Sequence, residues 1–557
     1  MPSRNHSRLK PQILGLSGIW WILLMVFMGA PAVAAAPHAE KPKLIVSIIV
    51  DQLRYDYLER LEPHFSQGGF RLLMEQGAFL TGAHYNYFPT VTGAGHASYL
   101  SGAPPSVHGV IGNDWFDKKT LKSINCVSDP DVEGLAMSGL SGKRSPRNFI
   151  GSNLADELRL RFASKVVGVS LKDRGAILPA GKKPAGAYWF DSHTGHFGSS
   201  TYYFAELPPW VRRFNEKEIP RSFLGKKWTY LLAADKYRSP LVAPGAATTG
   251  RDVPGTFDHT IRLSTTEGLE TIVPTPFGNE LLCEFALAAL EGEKLGASAG
   301  PDLLCMSFSS TDACGHLYGP YSQEMEDIVL RLDRQLESFF AALDAKIGLK
   351  NVLIVLTADH GVAPTPEYAA EQGLEAERVD MTSFLGELLE KLSEKFGPQR
   401  FLHSLKTFDG QIYLQHGALR DAGISPEEVG TFIRDWALDT GKVAAAFTRS
   451  QLLEGRAPGF IGEKVFNGFH PQRSGDVILI FKPFTLPGGY KSGTTHGSPF
   501  AYDTHVPVLF FGTPFKPGRH PDRFWITDIA PTLSAALQTT QPSGCIGKPF
   551  VKILSNP

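Results

Sequence analysis

The chain has 557 residues, of which 43% are hydrophobic and 20% charged, and its net charge is −1. At roughly 150 residues per domain this is three to four domain equivalents, or one large α/β unit. The composition excludes global disorder. A mean hydropathy of −0.10 argues against a many-helix membrane protein, and balanced charge supplies no global positive field for nucleic acid.

In chain order the first signal is a leader. Arg4, Arg8 and Lys10 precede an apolar stretch from Ile13 to Met28, and Ala32-Val33-Ala34 offers a small-x-small cleavage site. Residues 1–34 are expected to be a cleaved signal peptide, which makes the mature chain periplasmic or secreted with no stable membrane span. Apolar runs follow at Leu44–Val50, Leu303–Phe308, Val352–Leu356 and His505–Phe511. Continuous runs of this length suit strands covered on both faces. Between them, Met325, Ile328, Leu332, Leu336, Phe339, Leu343 and Ile347 recur at helical spacing with charges opposite. A second helix is expected from Ile526 to Leu537, with Pro531 near its start. Strands alternating with helices imply an α/β fold around a mostly parallel sheet. Two segments, about 187–274 and about 365–491, interrupt this pattern and are expected to be insertions or a cap on one catalytic domain spanning 43–557.

Five cysteines, Cys126, Cys283, Cys305, Cys314 and Cys545, contain no CxxC pair. The odd number leaves at least one thiol free. Most are expected to be small buried residues, and a Cys126–Cys545 bridge is left open.

Acid and imidazole groups stand where the strands end. Asp51 follows the first strand, Asp312 and His316 lie four apart, Asp359 and His360 directly follow a strand, and His496 sits in Gly493-Thr494-Thr495-His496-Gly497. Singly, each is more often a cap or a surface pair than a ligand. Together, three Asp and three His suffice for two sites of three ligands each, a donor set that suits zinc better than calcium or magnesium. Paired metals clamp the attacking and leaving oxygens of a displacement at phosphorus. A nucleophile candidate lies in Pro89-Thr90-Val91-Thr92-Gly93-Ala94-Gly95-His96, where small residues let backbone approach a ligand. Spacing does not choose between Thr90 and Thr92. Lys172 and Arg174, two apart on an expected extended segment, form a candidate phosphate clamp, and Asn113 is a further donor candidate.

These motifs, in this order, resemble the alkaline phosphatase superfamily, and most closely its PafA-type branch of exported zinc-dependent phosphate monoesterases related to the nucleotide pyrophosphatase/phosphodiesterases. The resemblance rests on Asp51-Gln52-Leu53-Arg54-Tyr55-Asp56, the Pro89–His96 segment, Ile111–Trp115, Lys172–Gly175, Asp312–His316, Asp359-His360-Gly361 and Thr495-His496-Gly497. It implies an alkaline-phosphatase-like three-layer fold with inserted cap segments. It implies Thr92 as nucleophile, through a phosphothreonine intermediate. Two Zn2+ are implied, one held by Asp312, His316 and His496, the other by Asp51, Asp359 and His360 with Thr92. Asn113, Lys172 and Arg174 are implied to contact the transferred phosphoryl group of a small-molecule phosphate monoester. The nearest rival is a phosphodiesterase or nucleotide pyrophosphatase on the same scaffold, and a more distant one a non-catalytic exported binding protein. No sulfatase-type Cys-x-Pro-x-Arg or Ser-x-Pro-x-Arg stands at the nucleophile position. Neither His96 nor Cys314 is needed in the ligand count, and both are expected to be structural.

Overall fold

The computed structural model describes residues 41–247, 251–252, 255–403 and 409–555. The expected signal peptide lies outside the described residues. A ten-stranded mixed sheet runs through the protein. Its central strand, Leu44–Val50, pairs in parallel with Asp302–Phe308 on one side and Val352–Thr357 on the other. Both pairings are in register from Leu44 onward, so all three strands end side by side. All seven residues of the central strand are buried, which is why the run carries no alternation. Val166–Ser170 and Gly186–Asp191 continue the parallel block beyond Asp302–Phe308. His196–Ser200 then adds an antiparallel strand, so the start of the first expected insertion widens the main sheet.

On the other flank Val508–Phe511 is antiparallel to both Val352–Thr357 and Ala78–His84. This strand is shorter than the apolar run suggests. His505 ends the short helix Ala501–Thr504, and Pro507 has no N–H to give a ladder. The outermost strand, Gly518–Trp525, carries Arg519, Asp522 and Arg523, charges that keep an open edge from pairing with another chain.

The expected helix over 325–347 forms as Gln323–Ile347, capped at Ser322, whose hydroxyl accepts from the Met325 N–H. Its apolar stripe packs on the core, but its first polar turns are also covered. Asp327 accepts from Trp228 Nε1 at 2.6 Å, and Glu326 accepts from the Ser239 N–H at 3.0 Å. Buried carboxylates thus tether the first inserted segment to the helix, each with partners for its charge. The helix expected over 526–537 begins as a 3-10 turn, Ile526–Asp528, before the α-helix Ile529–Leu537, with Pro531 in its first turn.

The second of the segments expected to be inserted has its own apolar core, including Phe384, Leu388, Ile433, Val477 and Leu479. Its three-stranded antiparallel sheet orders Gln411–Ile412, Val477–Phe481 and Val443–Thr448, beside helices Met381–Phe396 and Pro426–Asp439. It meets the rest of the chain through Phe116 stacked on His403, 4.6 Å between centroids, and through Arg473, which donates to the carbonyl of Asn148 at 2.7 Å. All five cysteines are free, so the Cys126–Cys545 bridge is not formed. Cys126 packs against Gly93, whereas Cys545 lies against Gly102. Among the described residues no helix is long and apolar enough to cross a membrane.

Candidate active site

Ligands in parallel sheets collect beyond the carboxyl ends of the strands, and the sequence candidates converge there. Asp51 follows the central strand, Asp312 lies in the helix Ser310–Tyr318, and Asp359-His360 follow Val352–Thr357. All three carboxylates are buried.

The three imidazoles are oriented alike. Nδ1 of His360 faces the carbonyl of Gly361 at 2.9 Å, Nδ1 of His316 that of Thr494 at 2.8 Å, and Nδ1 of His496 that of Thr90 at 2.9 Å. A carbonyl only accepts, so each Nδ1 carries a proton, and in the neutral ring Nε2 keeps a lone pair. Those Nε2 atoms turn to the acids: His316 to Asp312 at 3.1 Å, His360 to Asp51 at 3.3 Å, His496 to Asp312 at 3.7 Å. The His360 and His496 rings stack with 3.5 Å between centroids. Burial lowers His360 to about 3. It also holds His496 well below the usual histidine range, with His360 and His316 adding to the effect. His316 is shifted the other way: burial lowers it, but Asp312 outweighs burial and raises it. Neutral imidazoles with Nδ1 fixed by a backbone acceptor, as at His360 and His496, are the form that ligates metal.

The donor set therefore fits metal. Asp312, His316 and His496 bring ligand atoms within 4.8 Å of one another, and so do Asp51, Asp312 and His360. Asp51 Oδ1 and Asp359 Oδ2 are buried with no hydrogen-bond partner in the protein, a cost that a bound cation would offset. Burial, and after it the neighbouring Asp51, pushes the Asp359 carboxyl well above the usual range. Asp312 touches both groups. Asp359 stands 3.6 Å from His360 Nε2 and 3.3 Å from His96 Nδ1.

Thr92 opens the helix Thr92–Ser101, after Val91 in extended conformation, and its side chain is buried. Its Oγ1 lies 3.4 Å from His360 Nε2, whereas Thr90 Oγ1 donates to the Ser498 carbonyl at 2.8 Å and is thereby occupied. The helix start comes close to the strand ends because Gly95 has no side chain: a Cβ there would lie 2.4 Å from the Asp359 carbonyl oxygen. The positive end of the helix dipole at this terminus favours an anion. Asn113 Oδ1 accepts from the Gly93 N–H at 2.7 Å, which places Asn113 beside Thr92.

Lys172 and Arg174 come together differently from the expected extended segment. Lys172 is the N-cap of the helix Asp173–Ala180, and Arg174 is its second residue. Lys172 Nζ donates to Asp51 Oδ2 at 2.6 Å and also to Asp312 Oδ2. Burial lowers the Lys172 pKa, but Asp312 and Asp51 outweigh it and raise the net value. Arg174 Nε is buried without a protein hydrogen-bond partner. His96 is tied inward, Nδ1 to the Thr92 carbonyl at 2.9 Å and Nε2 to Ser307 Oγ at 2.8 Å. Cys314 is fully buried and stands in neither ligand group.

Two features have a role that no sequence signal gives. One is Gln52, whose side chain bonds Asp312. The other is a cavity of about 590 Å³ bordered by His496, Phe88, Phe481, Lys482, Tyr490 and Tyr502, which joins the second inserted segment to the site.

Residues 45–499 match the family described as type I phosphodiesterase / nucleotide pyrophosphatase. The chain is 37% identical over 545 residues to alkaline phosphatase PafA of Elizabethkingia meningoseptica, covering 96% of this chain and 98% of that protein. It is 36% identical to alkaline phosphatase PhoV of Synechococcus elongatus, covering 92% and 93% of the two chains. The crystal structure of wild-type alkaline phosphatase PafA superposes with a TM-score of 0.87 at 38% identity, covering 93% of this chain and all of that one. The chain belongs to the type I phosphodiesterase / nucleotide pyrophosphatase family and has the α/β fold of its alkaline phosphatases.

Proposed function

We propose that the protein is an exported alkaline phosphatase that hydrolyses small-molecule phosphate monoesters through a phosphothreonine at Thr92. The observation that carries this reading is the placement of one buried threonine hydroxyl at a helix N-terminus, against His360, in the same strand-end cluster as Lys172.

Asp312, His316 and His496 would hold one zinc ion, and Asp51, Asp359 and His360 the other. When bound, these ions supply positive charge that activates the Thr92 oxygen and water and stabilises the leaving oxygen. Thr92 Oγ1 forms a bond to phosphorus as the ester P–O bond breaks, and the alcohol departs on the opposite side. Water then attacks the phosphothreonine in line, releasing phosphate and restoring the hydroxyl. Arg174, Lys172 and the amide of Asn113 face the charge on the equatorial oxygens, where oriented donors contribute most. His96, fixed to the Thr92 carbonyl and to Ser307, keeps the nucleophile turn in place.

The family's description favours a second reading, a phosphodiesterase. A diester has one fewer charged oxygen for two cations to hold, so the Lys172–Arg174 pair supports the monoester. The test is kcat/KM on zinc-loaded enzyme for an aryl phosphate monoester against its methyl diester. Monoester preference is expected, and a strong diester preference would reverse the assignment. The leader sequence supports export. Sequencing the mature N-terminus from a secreting host is expected to find cleavage after about Ala34.

A further inference from the structure

We propose that Gln52 is a positioning residue that fixes the spacing between the two metal-ligand groups; the inference rests on the metal reading of the site given above. Three observations carry it.

The first is backbone conformation. Gln52 has φ 67°, in the left-handed region that a side chain disfavours and glycine occupies freely. A glutamine kept there points to work done by its side chain.

The second is its bonding. Gln52 is fully buried. Its Nε2 donates to Asp312 Oδ1 at 2.6 Å, and its backbone N–H donates to Asp359 Oδ1 at 3.1 Å. Carboxylate oxygens accept, so the amide nitrogen must be the atom facing Asp312. The strand before Gln52 is the one paired with both Asp302–Phe308 and Val352–Thr357. Gln52 therefore reaches one acid from each neighbouring strand end. A neutral donor does this without adding a cation that competes for the carboxylates' charge.

The third is shape. A Cβ at Gly315 would lie 1.8 Å from Gln52 Oε1. The amide fits only because the helix carrying Asp312 and His316 has glycine between them, on the face turned to Gln52.

The test compares full-length, zinc-loaded wild type with Gln52→Gly, Gln52→Met and Gly315→Ala. Three quantities are read: the rate of zinc loss to a chromogenic chelator, the Tm of the zinc-stripped protein, and kcat and KM on an aryl phosphate. Gln52→Gly, relieved of its backbone strain, is expected to keep the stripped Tm at or above wild type. It is also expected to lose zinc about tenfold faster or more, with kcat falling more than KM changes. Gln52→Met keeps the length without the donor, and Gly315→Ala displaces the amide; both are expected to speed zinc loss similarly. Wild-type zinc retention in Gln52→Gly and Gln52→Met overturns the proposal. Should the glycine variant fold poorly, the release rate of Gln52→Met decides. A wild type that holds zinc but releases no phosphate refutes the phosphatase reading and leaves the zinc-release comparison to judge Gln52. A wild type that binds no metal overturns both.

Discussion

Thr92 Oγ1 lies 3.4 Å from Nε2 of His360, whose Nδ1 is turned to its own backbone at Gly361. One nitrogen is fixed by the fold and the other is left for the site. The proposed nucleophile and a proposed metal ligand are thus neighbours before any substrate arrives.

Removing the hydroxyl isolates its role. Thr92→Ala is expected to keep its zinc content, because the six other proposed ligands are untouched. Its kcat is expected to fall by at least about 10³-fold. Zinc analysis alongside a phosphate-release assay checks both halves, and an alanine variant with wild-type turnover would remove Thr92 from the mechanism.

Arg174 is expected to separate the two ester classes. Its guanidinium has one buried nitrogen without a protein partner, and a dianionic phosphoryl group would meet it. Arg174→Ala is expected to lower kcat/KM for an aryl monoester by about 10²- to 10³-fold. The methyl diester, with less charge to lose, is expected to fall less. Equal losses on both esters would deny Arg174 its selectivity.

Asp503 makes stability depend on pH. Burial raises its carboxyl from the ordinary 3.8 to about 7, against the opposing Ser498 contacts. The folded chain holds this proton more tightly than the unfolded chain. Its contribution is therefore full below about pH 4 and is lost as pH rises through about 7. Asp503→Asn retains an acceptor for the Ser498 N–H but does not titrate. The variant's Tm relative to wild type is expected to climb between pH 4 and 8, and a flat difference would contradict the buried-acid account.

Asn153 supports the clamp helix from its far end. Its Oδ1 accepts from the Asp156 N–H at 3.1 Å, and its Nδ2 donates to the Leu178 and Pro179 carbonyls, both at 3.0 Å. Those carbonyls close the helix that begins at Lys172 and Asp173. Asn153→Ala loses a buried cap and leaves carbonyls unpaired, an expected cost of about 2 kcal/mol. Thermal unfolding should show a lower Tm with kcat nearly unchanged; an unaltered Tm would show that the cap is dispensable.

What the sequence made legible follows from period and position. The strands ending at Asp51 and Asp359 read as unbroken apolar runs because both sheet faces are covered, so their acids could be placed at one edge. The helix over 323–347 was legible from its stripe, but its acids Glu326 and Asp327 looked like a solvated face. Their burial depends on residues 228 and 239, distant in sequence. Thr90 and Thr92 were equivalent by spacing; a hydrogen bond to Ser498 separates them in space. Lys172 and Arg174 looked like neighbours on one side of an extended segment, whereas a helix start brings them together. Gln52 stands in the Asp51–Asp56 motif, but nothing there signals its role, which depends on a positive φ and on a glycine 263 positions later, both tertiary facts.

The central claim, two in-line displacements through Thr92, is tested most directly by stereochemistry at phosphorus. A monoester made chiral with oxygen isotopes is turned over by zinc-loaded enzyme in the presence of an acceptor alcohol, and the configuration of the transferred phosphoryl group is read. Two inversions give net retention, which the account predicts. Net inversion would mean a single displacement without a phosphothreonine and would contradict it.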